Sequence, residues 1–299
     1  MRKPTFFAFV PMVLTVCGWA QAQQENAAPA MQEQQRAQQQ QPYGAAQPSE
    51  PIEIVVRGQK PSPVWTQTRT FTGTRFWRLD PGEQSFQVWY TGRFKHDGNS
   101  GENTHLWQLE YMVSELKGLQ LDVYFNYAKD PAQGFHIEGA QIETRIAPWD
   151  YGSVWGNPAL YLEWHPQTRG PNRGEARLLL GGSLGTERIR GAINPFYEQN
   201  LDSPTGLKAD FEREVEMGVT GAASYAIVPQ LSAGLEGRYS AEQQGADPSD
   251  PHKYQNVVKV GPALWLSTTD GHWFAVASAL GGLTKYSDGF ATTVIVGVR

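Results

Sequence analysis

Residues 104–128 read THLWQLEYMVSELKGLQLDVYFNYA, and this stretch decides the fold. Taken in steps of two, Trp107, Leu109, Tyr111 and Val113 share one side, and Gln108, Glu110, Met112 and Ser114 the other. After Glu115-Leu116-Lys117-Gly118 the pattern resumes, with Leu119, Leu121, Val123, Phe125 and Tyr127 alternating with Gln120, Asp122, Tyr124 and Asn126. Successive strand side chains point to opposite faces, so each run has one apolar and one polar face. Each run is about ten residues, the length at which a tilted strand crosses a bilayer. A sandwich strand has about five or six. The stretch therefore predicts a membrane-spanning hairpin.

The same period recurs from Ser85 onward. Phe86, Val88, Tyr90 and Phe94 alternate with Gln87, Trp89, Arg93 and Lys95. Leu160, Leu162 and Trp164 alternate with Tyr161, Glu163 and His165, and Leu235 and Tyr239 with Glu236 and Arg238. The longest run, 211–227, sets Val215, Met217 and Val219 against Glu214, Glu216 and Thr220. The expected fold is all-β, an antiparallel up-and-down transmembrane barrel of about twelve strands over residues 85–299, an even count that puts both ends on one side. Connections alternate in length. They are short at Lys117-Gly118, Gly185-Thr186, Val228-Pro229 and Thr269-Asp270-Gly271, and long over 96–103, 167–174, 200–209 and 243–253. That asymmetry belongs to membrane barrels. Residues 148–158 are long where a short turn is expected, which predicts a flap or a change of register there.

Charge provides the next test. The polar faces carry seven acids, Glu110, Asp122, Glu143, Glu163, Glu214, Glu216 and Glu236, and seven bases, Arg93, Lys95, Arg145, Arg177, Arg190, Arg238 and Lys259. An Arg or Lys on the lipid face at mid-bilayer costs about 2–4 kcal/mol, so all fourteen are expected to line the lumen. Balanced numbers admit two readings: a pairing network that fills the barrel, or a narrow, weakly selective pore. A ring of one sign, the mark of ion selectivity, is not legible in these fourteen.

The N-terminus reads as a secretory signal over 1–22, with Arg2 and Lys3, an apolar core over 6–16, and Ala20-Gln21-Ala22 as a cleavage site. Leu14-Thr15-Val16-Cys17 departs from a lipobox at the bulky Val16. Removing the signal takes two bases and no acid, moving the net charge from -5 to -7. An acidic chain speaks against a nucleic-acid partner. Cys17, the only cysteine, lies in the signal, so no disulfide framework is expected. Residues 23–62, rich in Gln, Ala and Pro, read as a disordered periplasmic tail. Within them, IEIVVRG at 52–58 is similar to the segment that opens the plug of TonB-dependent receptors, whose barrels need roughly 22 strands; here it reads as a tether, with capture by strand addition as the alternative. Residues 63–84 lead into the barrel. Trp65, Phe71, Phe76 and Trp77 lie there without clean alternation, at the rim or inside. Glycine at 31 of 299, aromatics at 12% and a mean hydropathy of -0.47 suit a barrel, in which only alternate residues meet lipid.

Catalytic patterns are weak. None of His96, His105, His136, His165, His252 and His272 stands two before a serine followed by asparagine, the pattern of outer-membrane lipid hydrolases. No metal or phosphate motif appears, and Asp247 and Asp250 lack the glycine and glutamate of a calcium loop. No catalytic residue, metal or cofactor is expected. Trp107, Tyr111, Tyr127, Trp164 and Tyr239, near strand ends, read as interface girdles.

LEYMVSELKGLQLDVYFNY, SYAIVPQLSAGLEGRY and VGPALWLS together resemble the strand–turn–strand units of the bacterial phenol-degradation meta-pathway transporters. The resemblance covers roughly 85–299 and implies an outer-membrane barrel handling small hydrophobic or aromatic compounds. The terminus VIVGVR ends in Arg299 where outer-membrane barrels usually end in an aromatic read by the assembly machinery. The expected function is a passive channel for small amphiphilic or aromatic solutes. The expected partners are outer-membrane lipid, the barrel-assembly machinery and a small hydrophobic solute. A closed structural or surface-interaction barrel and a lipid-modifying enzyme are the alternatives.

Overall fold

The structure, a computed structural model, describes residues 62–95, 103–130, 134–168, 171–201, 215–243 and 254–299. The expected signal, the expected tail as far as Pro61 with its IEIVVRG, Glu214 and the 247–250 loop fall outside them.

Twelve strands follow a four-residue helix, α1 (Val64–Gln67): β1 (Glu83–Phe94), β2 (Thr104–Leu116), β3 (Leu119–Asp130), β4 (Gly134–Ile146), β5 (Ala159–His165), β6 (Arg173–Leu184), β7 (Thr186–Asn200), β8 (Val215–Val228), β9 (Leu231–Gln243), β10 (Tyr254–Ser267), β11 (Trp273–Gly282) and β12 (Phe290–Val298). Each pairs antiparallel with its sequence neighbours, and β1 pairs with β12 from Phe86↔Val298 to Phe94↔Phe290. The sheet closes into a barrel and has no edge left to pair with another chain. No described helix is long and apolar enough to cross a membrane.

The zigzag sets the polarity of the wall. Phe125, Leu235 and Val296 are exposed on the outside, while Glu110, Asp122 and Glu143 are fully buried inside. A soluble two-sheet sandwich has the opposite polarity. Strand ends differ from the periodicity in one consistent way. β6, β7 and β9 run on through Glu175, Glu198 and Glu242, so β7, at 15 residues, is the longest strand. These positions keep the inward parity but look like loop by composition.

One end of the barrel carries the short turns and the other the longer loops. At the β2–β3 turn Gly118 has φ +82°, and a Cβ there would lie 2.8 Å from the Ala147 carbonyl oxygen, so glycine is required. Ala147 N–H donates to the Gly118 carbonyl at 2.8 Å, and this contact starts the 147–158 connection. That connection stays at the turn end, where the indole of Trp149 donates to the Pro158 carbonyl at 2.8 Å.

Candidate functional site

Residues 62–82 lie inside the barrel. At their base, Ser62 N and Oγ donate to the Asp80 carboxylate at 3.2 and 2.8 Å, and Gln67 Nε2 donates to Asp80 Oδ2 at 2.6 Å. The segment is thus a closed loop with both legs at the turn end and its apex at Thr72-Gly73-Thr74. Glu236 on β9 holds the apex. Its Oε1 accepts the backbone N–H groups of Gly73 at 2.8 Å and Thr74 at 2.6 Å; its Oε2 accepts Thr72 N–H at 3.1 Å and Thr72 Oγ1–H at 2.6 Å. Ionised acceptors make the stronger hydrogen bonds, and here one carboxylate takes four. Thr72 Oγ1 also meets Ser278 Oγ on β11 at 2.6 Å, and Arg177 on β6 donates to the Gly73 carbonyl at 3.2 Å.

Two arginines of the loop reach the opposite wall. Arg69 pairs with Glu110 at 3.1 Å and lies 3.9 Å over the ring of Trp89. Trp89 in turn donates to Glu110 at 2.8 Å. Arg75 donates to Tyr124 Oη at 2.6 Å and pairs with Glu143 at 3.2 Å. Arg145 bridges Asp122 at 3.0 Å and Glu143 at 2.5 Å while donating to the Trp77 carbonyl at 2.9 Å. A buried charge without such partners costs several kcal/mol, so the loop and the wall complete each other.

Below the apex the legs are aromatic. Trp65 stacks on Phe76 at 4.7 Å, and Tyr151 of the 147–158 connection meets Trp65, Phe76 and Trp77 edge-on at 6.4, 6.1 and 5.7 Å. With Phe71, Trp265, Phe274 and Ile295 they form the core. Each buried phenylalanine contributes about 2 kcal/mol. Between loop and wall there remains a pocket of about 30 Å³, roughly one water's share of liquid volume. Above the apex a polar cavity of about 700 Å³ extends from Thr104, Lys129 and Gln243 at the loop end down to a floor of Thr72, Gly73 and Arg75.

Of the fourteen charged positions read from the sequence, the thirteen described ones divide by depth. Glu110, Asp122, Glu143, Arg145 and Glu236 surround the loop. Arg190 donates to Ser232 at 2.9 Å and lies 4.9 Å over the ring of Trp65. Arg93, Glu163, Arg177, Glu216, Arg238 and Lys259 line the cavity. Glu163 pairs with His165 at 2.5 Å, Arg177 with Glu175 at 2.5 Å, and Arg238 with Glu216. At the rim Asp288 bridges Lys95 at 3.3 Å and Lys259 at 2.5 Å. Burial pushes the Asp288 carboxyl up, but the hydrogen bond and charge of Lys259 outweigh it and hold it below the ordinary aspartate range.

Periodicity passed over Arg69 and Arg75 because their segment lacks an apolar face. A signal was nonetheless present: Thr66, Thr68, Thr70, Thr72 and Thr74 alternate through TQTRTFTGTR, a pattern of extended chain with donors on every second residue. Of the expected girdle positions, Trp107 and Tyr127 join Tyr90, Phe94, His105 and Phe135 in a chain of ring contacts near the loop end.

No protein-family model matches the chain, and no curated protein matches it. Solved structures do. An outer-membrane channel of Pseudomonas putida F1 aligns over 74% of this chain and 96% of its own, at 12% identity and a TM-score of 0.52. The NanC porin aligns over 73% and 98% at 13% identity and TM-score 0.47, and the KdgM porin over 72% and 98% at 12% and 0.44. At such identities the first likeness speaks to the fold, a closed antiparallel barrel.

Proposed function

We propose that this chain is an outer-membrane channel whose own residues 62–82 form a resident plug, with the long loops outside the cell and the turns and the N-terminal side in the periplasm. The observation that carries this reading is how the plug is held. Its apex and upper legs are fastened by hydrogen bonds and ion pairs to side chains of the wall, above which a vestibule of about 700 Å³ opens. Such contacts exchange with water at small net cost, so the apex is suited to leave its seat while the aromatic legs below stay packed. The cargo in this reading is small and amphiphilic or aromatic, matching the guanidinium surfaces of the vestibule wall, where Arg177 lies 5.2 Å over Tyr161 and Arg238 4.5 Å over the buried ring of Phe196.

The test is single-channel recording and liposome solute uptake with refolded full-length protein, wild type beside Glu236→Gln. A channel shows brief openings in the wild type that lengthen in the variant. A barrel silent in both assays, with and without the substitution, is a closed structural barrel, and the proposal fails.

A further inference from the structure

Strand register places like charges opposite one another along half of the ring. Glu163 on β5 is directly opposite Glu175 on β6, Glu175 opposite Glu198 on β7, Glu198 opposite Glu216 on β8, and Glu216 opposite Glu242 on β9. With Glu138 on β4, each of the six strands β4 to β9 contributes one glutamate to the cavity lining. Like charges directly opposite destabilise a sheet, so folding alone gives no reason for the arrangement. Arg173, Arg177 and Arg238 answer half of these acids and His165 pairs with Glu163, so with the histidine neutral the described residues of that wall carry net -3. The remaining six strands, β10 to β12 and β1 to β3, are contiguous through the barrel closure. Among the described residues they contribute Lys259, Arg93 and Lys129 to the cavity lining and no acid, a net of +3. Asp288, just outside the lining, offsets part of this by pairing with Lys259 and Lys95. Arg93 has no carboxylate within 4.0 Å among the described residues.

The cavity is therefore polarised across its width, acidic on one half of the ring and basic on the other. A cleft with charged walls of low dielectric focuses its field on what enters. A field of this geometry favours neither a simple cation nor a simple anion, because each is attracted by one wall and repelled by the other. It favours a molecule that carries both charges at opposite ends. We infer that the vestibule is a binding site for small zwitterionic solutes, with the anionic end toward Arg93 on β1 and the cationic end toward Glu198 on β7, six strands away around the ring. As cargo selection this deepens the channel reading and rests on it; as binding it does not.

The experiment is isothermal titration of the refolded full-length protein, at low salt and neutral pH, with three probes of one shape: 4-(aminomethyl)benzoate, which is zwitterionic, 4-methylbenzoate and benzylamine. The zwitterion is expected to bind about tenfold tighter than either singly charged analogue, with the preference shrinking as salt rises. Arg93→Gln, which breaks no ion pair, and Glu198→Gln each reduce the zwitterion to the level of the analogues. Equal binding of the three, a preference for one of the singly charged probes, or no binding at all overturns the inference. Liposome uptake of the same probes separates the two proposals: selective binding without uptake leaves this one standing and removes the channel, and uptake without selectivity does the reverse.

Discussion

Glu236 and Gly73 are 163 residues apart in the chain, and inside the barrel the Gly73 N–H donates to Glu236 Oε1 at 2.8 Å. Thr72 and Thr74 give the same carboxylate three further hydrogen bonds, and Arg177 donates to the Gly73 carbonyl. Glu236 is 2% exposed, on a strand whose neighbouring inward residues are Gly234 and Arg238, and a carboxylate so deep needs donors. The backbone of Thr72-Gly73-Thr74, taken out of secondary structure, needs an acceptor. The seat of the plug is this exchange.

Glu236→Ala removes the acceptor and leaves the apex donors with no carboxylate. The seated state loses about 3 kcal/mol, roughly a hundredfold in the ratio of seated to released plug. Conductance in planar bilayers should rise accordingly, and residues 68–76 should exchange amide hydrogens faster. Unchanged exchange at the apex would show that Glu236 is not the latch.

Locking the plug has the reverse effect. Thr72 Oγ1 and Ser278 Oγ are 2.6 Å apart, a spacing compatible with a disulfide after substitution by cysteine. In Thr72→Cys/Ser278→Cys, with Cys17 the only native cysteine, oxidation is expected to abolish openings and reductant to restore them. Openings of equal frequency in both redox states would contradict movement of the apex.

Arg145 is the bridge between loop and wall, so Arg145→Ala leaves Asp122 and Glu143 facing each other, both fully buried and directly opposite in register. Breaking a buried pair from one side costs about 3–5 kcal/mol. The temperature at which the folded barrel loses its heat-modifiable mobility on a gel should fall. Arg145→Lys, which keeps the charge but not the fork, should recover only part of the loss.

Asp288 gives a pH signature outside the spanning strands. Its carboxyl is held below the usual range, so its contribution is present above the unfolded pKa, about 3.9, and is lost only as pH falls through the lower folded value. Proteolytic cleavage within 283–289 should stay slow from neutral pH to about 4.5 and accelerate in stronger acid. Asp288→Asn should accelerate it at neutral pH, the two proteins converging in strong acid. A wild-type loop that loosens already near pH 6 would refute the Asp288 clamp.

The outward face yields a membrane test. Phe125, midway along β3, is 56% exposed. If lipid covers it, Phe125→Arg costs about 2–4 kcal/mol of unfolding free energy in bilayers. In a water-soluble barrel the change would be nearly neutral or favourable.

Much of this architecture was legible because it is local. Alternation with period two is set by the geometry of each strand, so Trp107 to Val113 and Leu119 to Tyr127 revealed the fold, the hairpin and the inward parity of Glu110 and Asp122 without knowledge of any partner. The turn at Gly118 was equally local. Strand ends were less so: Glu175, Glu198 and Glu242 follow the parity but merge in composition with the loops beyond them, and of the six glutamates of the acidic wall only Glu163 and Glu216 stand among the fourteen charged positions read from the sequence.

By itself, then, the sequence determined a closed, two-faced antiparallel wall with its ionised side inward, since a strand's two faces follow from backbone geometry alone. Tertiary structure decided what occupies the inside. That TQTRTFTGTR fills the lumen, that Glu236 holds Gly73, and that six glutamates gather on one half of the ring depend on closure and register, which bring together residues far apart in the chain.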